Sequence, residues 1–189
     1  MLDVFFNHPT KQFSFSELTK ILNLSEKTVA KQLKQLQKQH IIKKIKPENS
    51  HPHYIANLSP EYRAQKRLRA QQLITPLITE LLHQDLKLII LFGSFTRTDW
   101  HKDSDIDLFI IGKLENIQYA EREISITQPK NFQEIQTYSK EFMSNVLKGI
   151  ILHDPDDTAT RLLRMQQTRT APPARTQRPK PHTITYSRS

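Results

Sequence analysis

Leu88-Ile89-Ile90-Leu91-Phe92-Gly93-Ser94, followed by Ser104-Asp105-Ile106-Asp107-Leu108-Phe109-Ile110-Ile111, is the stretch on which the fold turns. The first five residues have the length and branching of a buried strand, and the run stops abruptly at Gly93-Ser94. Glycine lets a backbone come close to a phosphate, and Ser94 adds a hydroxyl. A short helix starting there would aim its open N–H groups at an anion. The second run opens polar and then turns apolar. Alternate side chains of a strand share a face, so Asp105 and Asp107 point together while Ile106 points into the core. Two neighbouring carboxylates repel each other, and a divalent cation removes that cost. Mg2+ prefers hard oxygen ligands and commonly uses one or two carboxylates together with substrate phosphates. Asp-x-Asp alone, or Gly-Ser alone, is more often a loop. Strand, Gly-Ser, helix-length spacer, Ser-Asp-x-Asp and apolar strand in that order point instead to a metal clamp beside a phosphate cradle.

Gly93-Ser94-Phe95-Thr96-Arg97 and Ser104-Asp105-Ile106-Asp107-Leu108 resemble the signature of the DNA polymerase beta type nucleotidyltransferase superfamily, in particular its minimal nucleotidyltransferases. The resemblance covers roughly Leu86 to Asp154. It implies that Gly93 and Ser94 contact a triphosphate and that Asp105 and Asp107 bind two magnesium ions. Arg97 is implied as a phosphate or structural contact, and Ser104 as part of the nucleotide-binding motif. Thr98 stands where the family carries glycine. The resemblance further implies a third carboxylate on a later strand that helps activate the attacking hydroxyl. A helix over Asn116 to Ile126 and a strand over Phe132 to Tyr138 would leave Glu134 as the only acid on that strand. Glu134 is then either a catalytic metal ligand or an exposed strand glutamate. The implied reaction is in-line attack on the alpha phosphorus of a nucleoside triphosphate, ATP foremost, with pyrophosphate leaving. The acceptor, a protein or an RNA, is not encoded in the motif.

Charge divides along the chain. The formal net charge is +9, and residues 87–164 carry more acid than base, so the excess lies in the two flanks. Basic flanks suggest nucleic acid. In the N-terminal flank, Ser14-Phe15-Ser16-Glu17 is a capping box followed by Leu18, Ile21 and Leu22 at helical spacing. Asn23-Leu24-Ser25 reads as a turn whose serine caps a second helix, with Val29, Leu33, Leu36 and His40 on one face and Lys27, Lys31, Lys34 and Lys38 on the other. Ile41 to Lys46, a turn at Pro47-Glu48-Asn49-Ser50 and the return His53-Tyr54-Ile55 read as a hairpin. With a first helix over Leu2 to His8, this order resembles the winged helix-turn-helix domains of prokaryotic transcription regulators. The resemblance implies that the second helix of the motif enters the major groove and the wing touches phosphates. Lys27, Thr28, Lys31 and Lys34 would then face DNA through the helix, and Lys43, Lys44 and Lys46 through the wing. A lysine stripe by itself is ordinarily a solvated face, and a winged helix also serves as a protein-interaction module. Without arginine or asparagine in the reading helix, few bidentate base contacts are available.

The expected architecture is therefore α+β: a winged helix-turn-helix over residues 1–58, a linker helix over 59–84, a nucleotidyltransferase domain over 85–165 with a mixed sheet and flanking helices, and a disordered basic tail over 166–189. Ser59-Pro60 starts the linker helix, Pro76 should kink or split it, and its apolar stripe packs on the transferase sheet or forms a homodimer. Acids at Asp154, Asp156 and Asp157 more simply cap a last helix than form a metal cluster. No stretch approaches the roughly 20 apolar residues of a membrane span, and the N-terminus lacks a secretory signal pattern. The absence of cysteine fits a cytoplasmic protein. Three functional classes follow: an active Mg2+-dependent nucleotidyltransferase, a DNA-binding regulator that senses a nucleotide without turnover, and the antitoxin of a toxin–antitoxin pair. A Glu134 carboxyl that does not reach the aspartates favours the sensor.

Overall fold

The computed structural model describes residues 1–46, 51–117, 119, 121–167 and 182–184. The chain forms two compact units, Met1–Arg69 with Trp100–Asp103, and Ala70–Asp99 with Ser104–Ser189.

In the first unit the elements run α1 (Leu2–Asn7), β1 (Phe13–Ser14), α2 (Phe15–Leu22), α3 (Glu26–Lys38), β2 (Ile42–Ile45), β3 (His53–Ala56) and the opening of α4 (Pro60–Leu81). Local chemistry sets the helix starts. Ser14 Oγ accepts the Glu17 N–H at 3.1 Å and Ser25 Oγ accepts that of Thr28 at 3.3 Å, satisfying N–H groups that have no partner inside the helix. Asn23 closes α2 in the left-handed region at φ 49, where asparagine is tolerated best after glycine. Val29, Leu33 and Leu36 form the buried stripe of α3. His40, expected on that stripe, is exposed and lies beyond the helix at φ 57, where its carbonyl accepts Asn57 Nδ2 and Ser59 Oγ. The three strands form an antiparallel sheet in the order β1-β3-β2. The turn expected at Pro47 to Ser50 lies outside the described residues.

Trp100 stands in a polar loop whose sequence suggests no role for it, yet it is 1 % exposed and belongs to the core of this unit. Its ring meets Phe6 edge-on at 6.1 Å, and Phe6 meets Tyr62 at 5.3 Å. Lys66, equally buried, donates its ammonium to the Trp100 carbonyl at 2.5 Å and lies 4.7 Å from the Trp100 ring centroid. A buried ammonium is tolerable only with such partners. Trp100→Ala is therefore expected to remove about 3–5 kcal/mol through a cavity, and a lowered urea midpoint with an unchanged slope would show it.

Ser59 caps α4 through the Tyr62 N–H at 3.1 Å, and α4 then runs unbroken through Pro76 rather than splitting there. Its residues after Arg69 open the second unit, so the boundary between units falls inside this helix. There follow β4 (Leu86–Phe92), α5 (Ser94–Arg97), β5 (Ile106–Gly112), β6 (Ile124–Thr127), α6 (Phe132–Ile135), α7 (Lys140–Leu147), β7 (Ile150–His153), α8 (Thr158–Gln167) and β8 (His182–Ile184). The sheet order is β7-β4-β5-β6-β8, with β5 and β6 parallel and the other pairs antiparallel. Leu88, Ile90, Phe109 and Ile111 pack on Met143 and Val146 of α7 and Leu162 of α8. Alternation puts Ile89, Leu91, Leu108 and Ile110 on the other face, also buried. The Tyr119 hydroxyl donates to the Leu73 carbonyl at 3.0 Å, fastening the segment after β5 to α4.

Three expectations are corrected here. The helix expected over 116–126 is irregular where described and gives way to β6, because Ile124-Ser125-Ile126-Thr127 alternates and is rich in β-branched residues. The strand expected over 132–138 is α6. Asn131 Oδ1 accepts the Glu134 N–H at 2.9 Å, and a glutamate three residues after a capping asparagine is a helix start. Within the tail expected to be disordered, His182–Ile184 pairs with β6, and the rest from residue 168 lies outside the described residues. Asp154 behaves as expected and caps α8, its two oxygens accepting the N–H groups of Thr158 at 2.6 Å and Ala159 at 3.1 Å.

Candidate nucleotide and metal site

The end of β4 and the start of β5 meet because the strands are antiparallel: Phe92 stands opposite Asp107 in the register. The next residue, Gly93, has φ 74 and ψ −151, a conformation open essentially to glycine. A Cβ on Gly93 would overlap the Asp107 carboxylate, so glycine is required twice, by conformation and by space. The single turn of α5 follows, with Thr96 Oγ1 donating to the Gly93 carbonyl at 2.8 Å. Thr98 ends it at φ 66. A β-branched residue in the left-handed region costs about 1–2 kcal/mol, so threonine adopts here the turn for which a glycine is better suited.

Asp105 and Asp107 lie two apart and share the sheet face that carries Phe109 and Ile111. Both are half-buried. Burial is the main reason the Asp107 carboxyl is pushed up to about 6, the charge of Asp105 adds to it, and Arg97 acts in the opposite sense. Arg97 is otherwise exposed and donates through Nε to Asp99 at 3.1 Å. The polypeptide thus holds two like charges together in a partly desolvated place with Gly93 beside them. Such an arrangement suits a divalent cation that completes its shell with phosphate and water oxygens. Among the described residues, no group of three or more His, Cys, Asp or Glu is gathered for a metal.

Glu134 is not brought to the pair. Its Oε2 accepts the Lys130 N–H before α6 at 2.8 Å and its Oε1 accepts the Tyr138 hydroxyl after it at 3.3 Å, so both oxygens are engaged locally around α6. The strand beside β5 is β6, and there the residue paired with Asp107 is Ser125. In this parallel register Glu123 precedes β6 at the level of Asp105, its carbonyl accepting the Ile106 N–H at 2.9 Å. The position next to Asp107 on the neighbouring strand therefore carries a hydroxyl and no carboxylate.

Arg122 is a contributor that the sequence reading missed. Its Nη1 donates to the Ser104 carbonyl at 3.3 Å and its guanidinium lies 5.5 Å from the Phe95 ring centroid. It thereby ties the segment entering Asp105 to the helix that follows Gly93. No local motif announces it, since the contact depends on β6 lying parallel to β5.

The residues expected to contact DNA are placed as follows. Lys27, Lys31 and Lys34 are exposed on α3, as are Lys43 and Lys44 of β2 and Lys46 after it. Thr28 is half-buried, its hydroxyl 2.8 Å from that of Ser25.

A search of curated proteins finds no match. Among solved structures, the chain aligns with an ICLR-type transcriptional regulator from Silicibacter at 15% identity and a TM-score of 0.27. The alignment covers 87% of this chain and 66% of that one, just under two thirds of its length. Residues 77–158 match the family model for polymerase beta type nucleotidyltransferases, which supports the nucleotidyltransferase superfamily for this part of the chain.

Proposed function

We propose that the second unit binds a nucleoside triphosphate with magnesium against Gly93, Ser94, Asp105 and Asp107, and passes the nucleoside monophosphate to a protein or RNA acceptor. The observation that carries this reading is the contact of Gly93 with Asp107, which brings a glycine of positive φ and a half-buried acid of the pair to one place. Gly93 and Ser94 would present backbone N–H groups and a hydroxyl to the triphosphate, with Arg97 and Ser104 at its edges. Asp105 and Asp107 would hold the metal. Magnesium, when bound there, neutralises charge on the phosphates and polarises an acceptor hydroxyl. Arg122 keeps the two limbs of the site in register.

A second reading is favoured by one specific observation, the placement of Glu134 at the start of α6 with Ser125 beside Asp107. In it the unit binds Mg–NTP without appreciable transfer and signals to a DNA-binding N-terminal unit. The element order of that unit and the exposed lysines of α3 and β2 support DNA as its partner.

Calorimetry of the full chain with Mg–ATP and its three sister nucleotides, run beside an assay for transfer of labelled nucleotide, separates the readings. Uptake with transfer supports the transferase, uptake without transfer supports the sensor, and no uptake of any of the four sinks both. For DNA, Lys31→Ala and Lys34→Ala are expected each to weaken binding and to reduce the slope of log K against log salt by about 1. An unchanged slope would argue for a protein partner.

A further inference from the structure

The second unit has a cavity, about 690 Å3 in volume, at the end of the sheet where β4 begins and β5 ends. Gly93 and the aspartates lie at the opposite end of these strands. At roughly 3.3 Å per residue, the lining residues Ile111 to Lys113 stand about 13–20 Å from Asp107. The volume falls within the range of small-molecule sites, roughly 300–1,000 Å3. Its floor is apolar: Ile111 from β5 with Phe132 and Ile135 from α6. Phe132 is held from one side by Arg161, whose guanidinium lies 4.3 Å from the ring centroid.

The wall is cationic. Lys87, Lys113 and Lys130 line it against a single acid, Asp85. The Lys87 and Lys130 side chains make no ion pair among the described residues, and Lys113 approaches Glu115 only to 3.9 Å. Between floor and wall sits Gln128, whose amide nitrogen donates to the Gly112 carbonyl at 2.7 Å. That bond fixes the side chain and leaves its carbonyl oxygen as an acceptor. Gly112 itself, at φ 133, allows the close approach of β5 to the Asp85–Leu86 backbone that closes this end.

We propose that this cavity is a second ligand site, which takes a nucleoside monophosphate or a similar phosphate-bearing ring compound with its phosphate among the three lysines and its ring on the Phe132–Ile135 floor. Three cations and one acid select an anion. An apolar floor with one oriented amide selects a ring carrying polar edges over a bare inorganic ion. A group seated on this lining, about 13–20 Å from Asp107, is out of reach of a reaction there, so the ligand is an effector.

The test uses the full chain carrying Asp105→Asn and Asp107→Asn, kept in EDTA so that the first site is silent. Amide shifts are followed by NMR while AMP, and separately orthophosphate, is titrated. Saturable amide shifts with AMP are expected at the lining residues 85, 87, 111–114, 128, 130–132 and 135. Affinity should fall at least about tenfold when Lys87, Lys113 and Lys130 are replaced by alanine, the loss anticipated for charge-assisted contacts. All three lysines are exposed, so that variant should keep its fold, which circular dichroism checks. The absence of saturable shifts at these residues, unchanged affinity in the triple variant, or equal affinity for orthophosphate and AMP would each overturn the proposal.

Discussion

Asp107→Asn is expected to abolish uptake of Mg–ATP while making the metal-free protein more stable at neutral pH. The two effects have one cause. Asp107 is held partly out of water beside Asp105, which pushes its carboxyl from 3.8 to about 6. A folded-state value above the unfolded one means that protonation favours the fold. This contribution is complete below about pH 4 and is lost as pH rises through about 6, so at pH 7 the ionised group is a burden. The carboxylate is only partly shielded from solvent, so the burden is on the order of 1 kcal/mol after allowance for screening. Asparagine removes it, and a thermal midpoint higher by several degrees at pH 7 should shrink as the pH falls and vanish near pH 4. Binding moves the other way. Deleting one of two anionic ligands from a partly desolvated contact costs about 3–5 kcal/mol, a loss of a hundredfold or more. Wild-type uptake should itself weaken below about pH 6, where a proton competes for Asp107. If Asp107→Asn lowered the midpoint at pH 7, or still took up Mg–ATP, the pair would not be a cation site.

The parts of this site legible in the sequence are those fixed by neighbours along the chain. Leu88 to Phe92 reads as a strand because both faces are apolar, and Asp105 and Asp107 share a face because strand alternation requires it. The caps at Ser14, Ser25, Ser59, Ser139 and Asp154 are local and legible too. The missing carboxylate is not. Ile124 to Thr127 is only four residues long, and the preceding Glu121-Arg122-Glu123 suits a helix, so the alternation is too short to prevail. Asn131-Phe132-Gln133-Glu134 does hold a helix-start signal, but the segment is so short that its apolar residues Phe132 and Ile135 suit a strand as well. That Ser125 meets Asp107, that Arg122 meets Ser104 and that Trp100 is buried all depend on pairings between distant segments.

Ser125→Asp is expected to raise nucleotidyl transfer, because it supplies a carboxylate at the register position beside Asp107. Paired residues on adjacent strands lie about 4.8 Å apart and project to the same face, so the new acid would stand next to the existing two without any change of backbone. A general base placed on an acceptor hydroxyl contributes about 10²–10⁴-fold, and that range is the expected gain over the wild-type rate. The same substitution gathers a third negative charge into the site. It should push Asp107 further up, destabilise the metal-free protein, and make the rise in thermal midpoint on adding Mg2+ larger than in the wild type. Ser125→Asn is the control, since it matches the size and polarity of aspartate without its charge, and it should leave transfer at the wild-type level. Glu134→Gln should also leave transfer unchanged, because that carboxylate is engaged by the Lys130 N–H and the Tyr138 hydroxyl on either side of α6. A Ser125→Asp protein no faster than its Ser125→Asn counterpart would mean that the acceptor hydroxyl is activated elsewhere or not at all. If the wild type also takes up Mg–NTP without transferring it, the nucleotide-sensing reading is the one left standing.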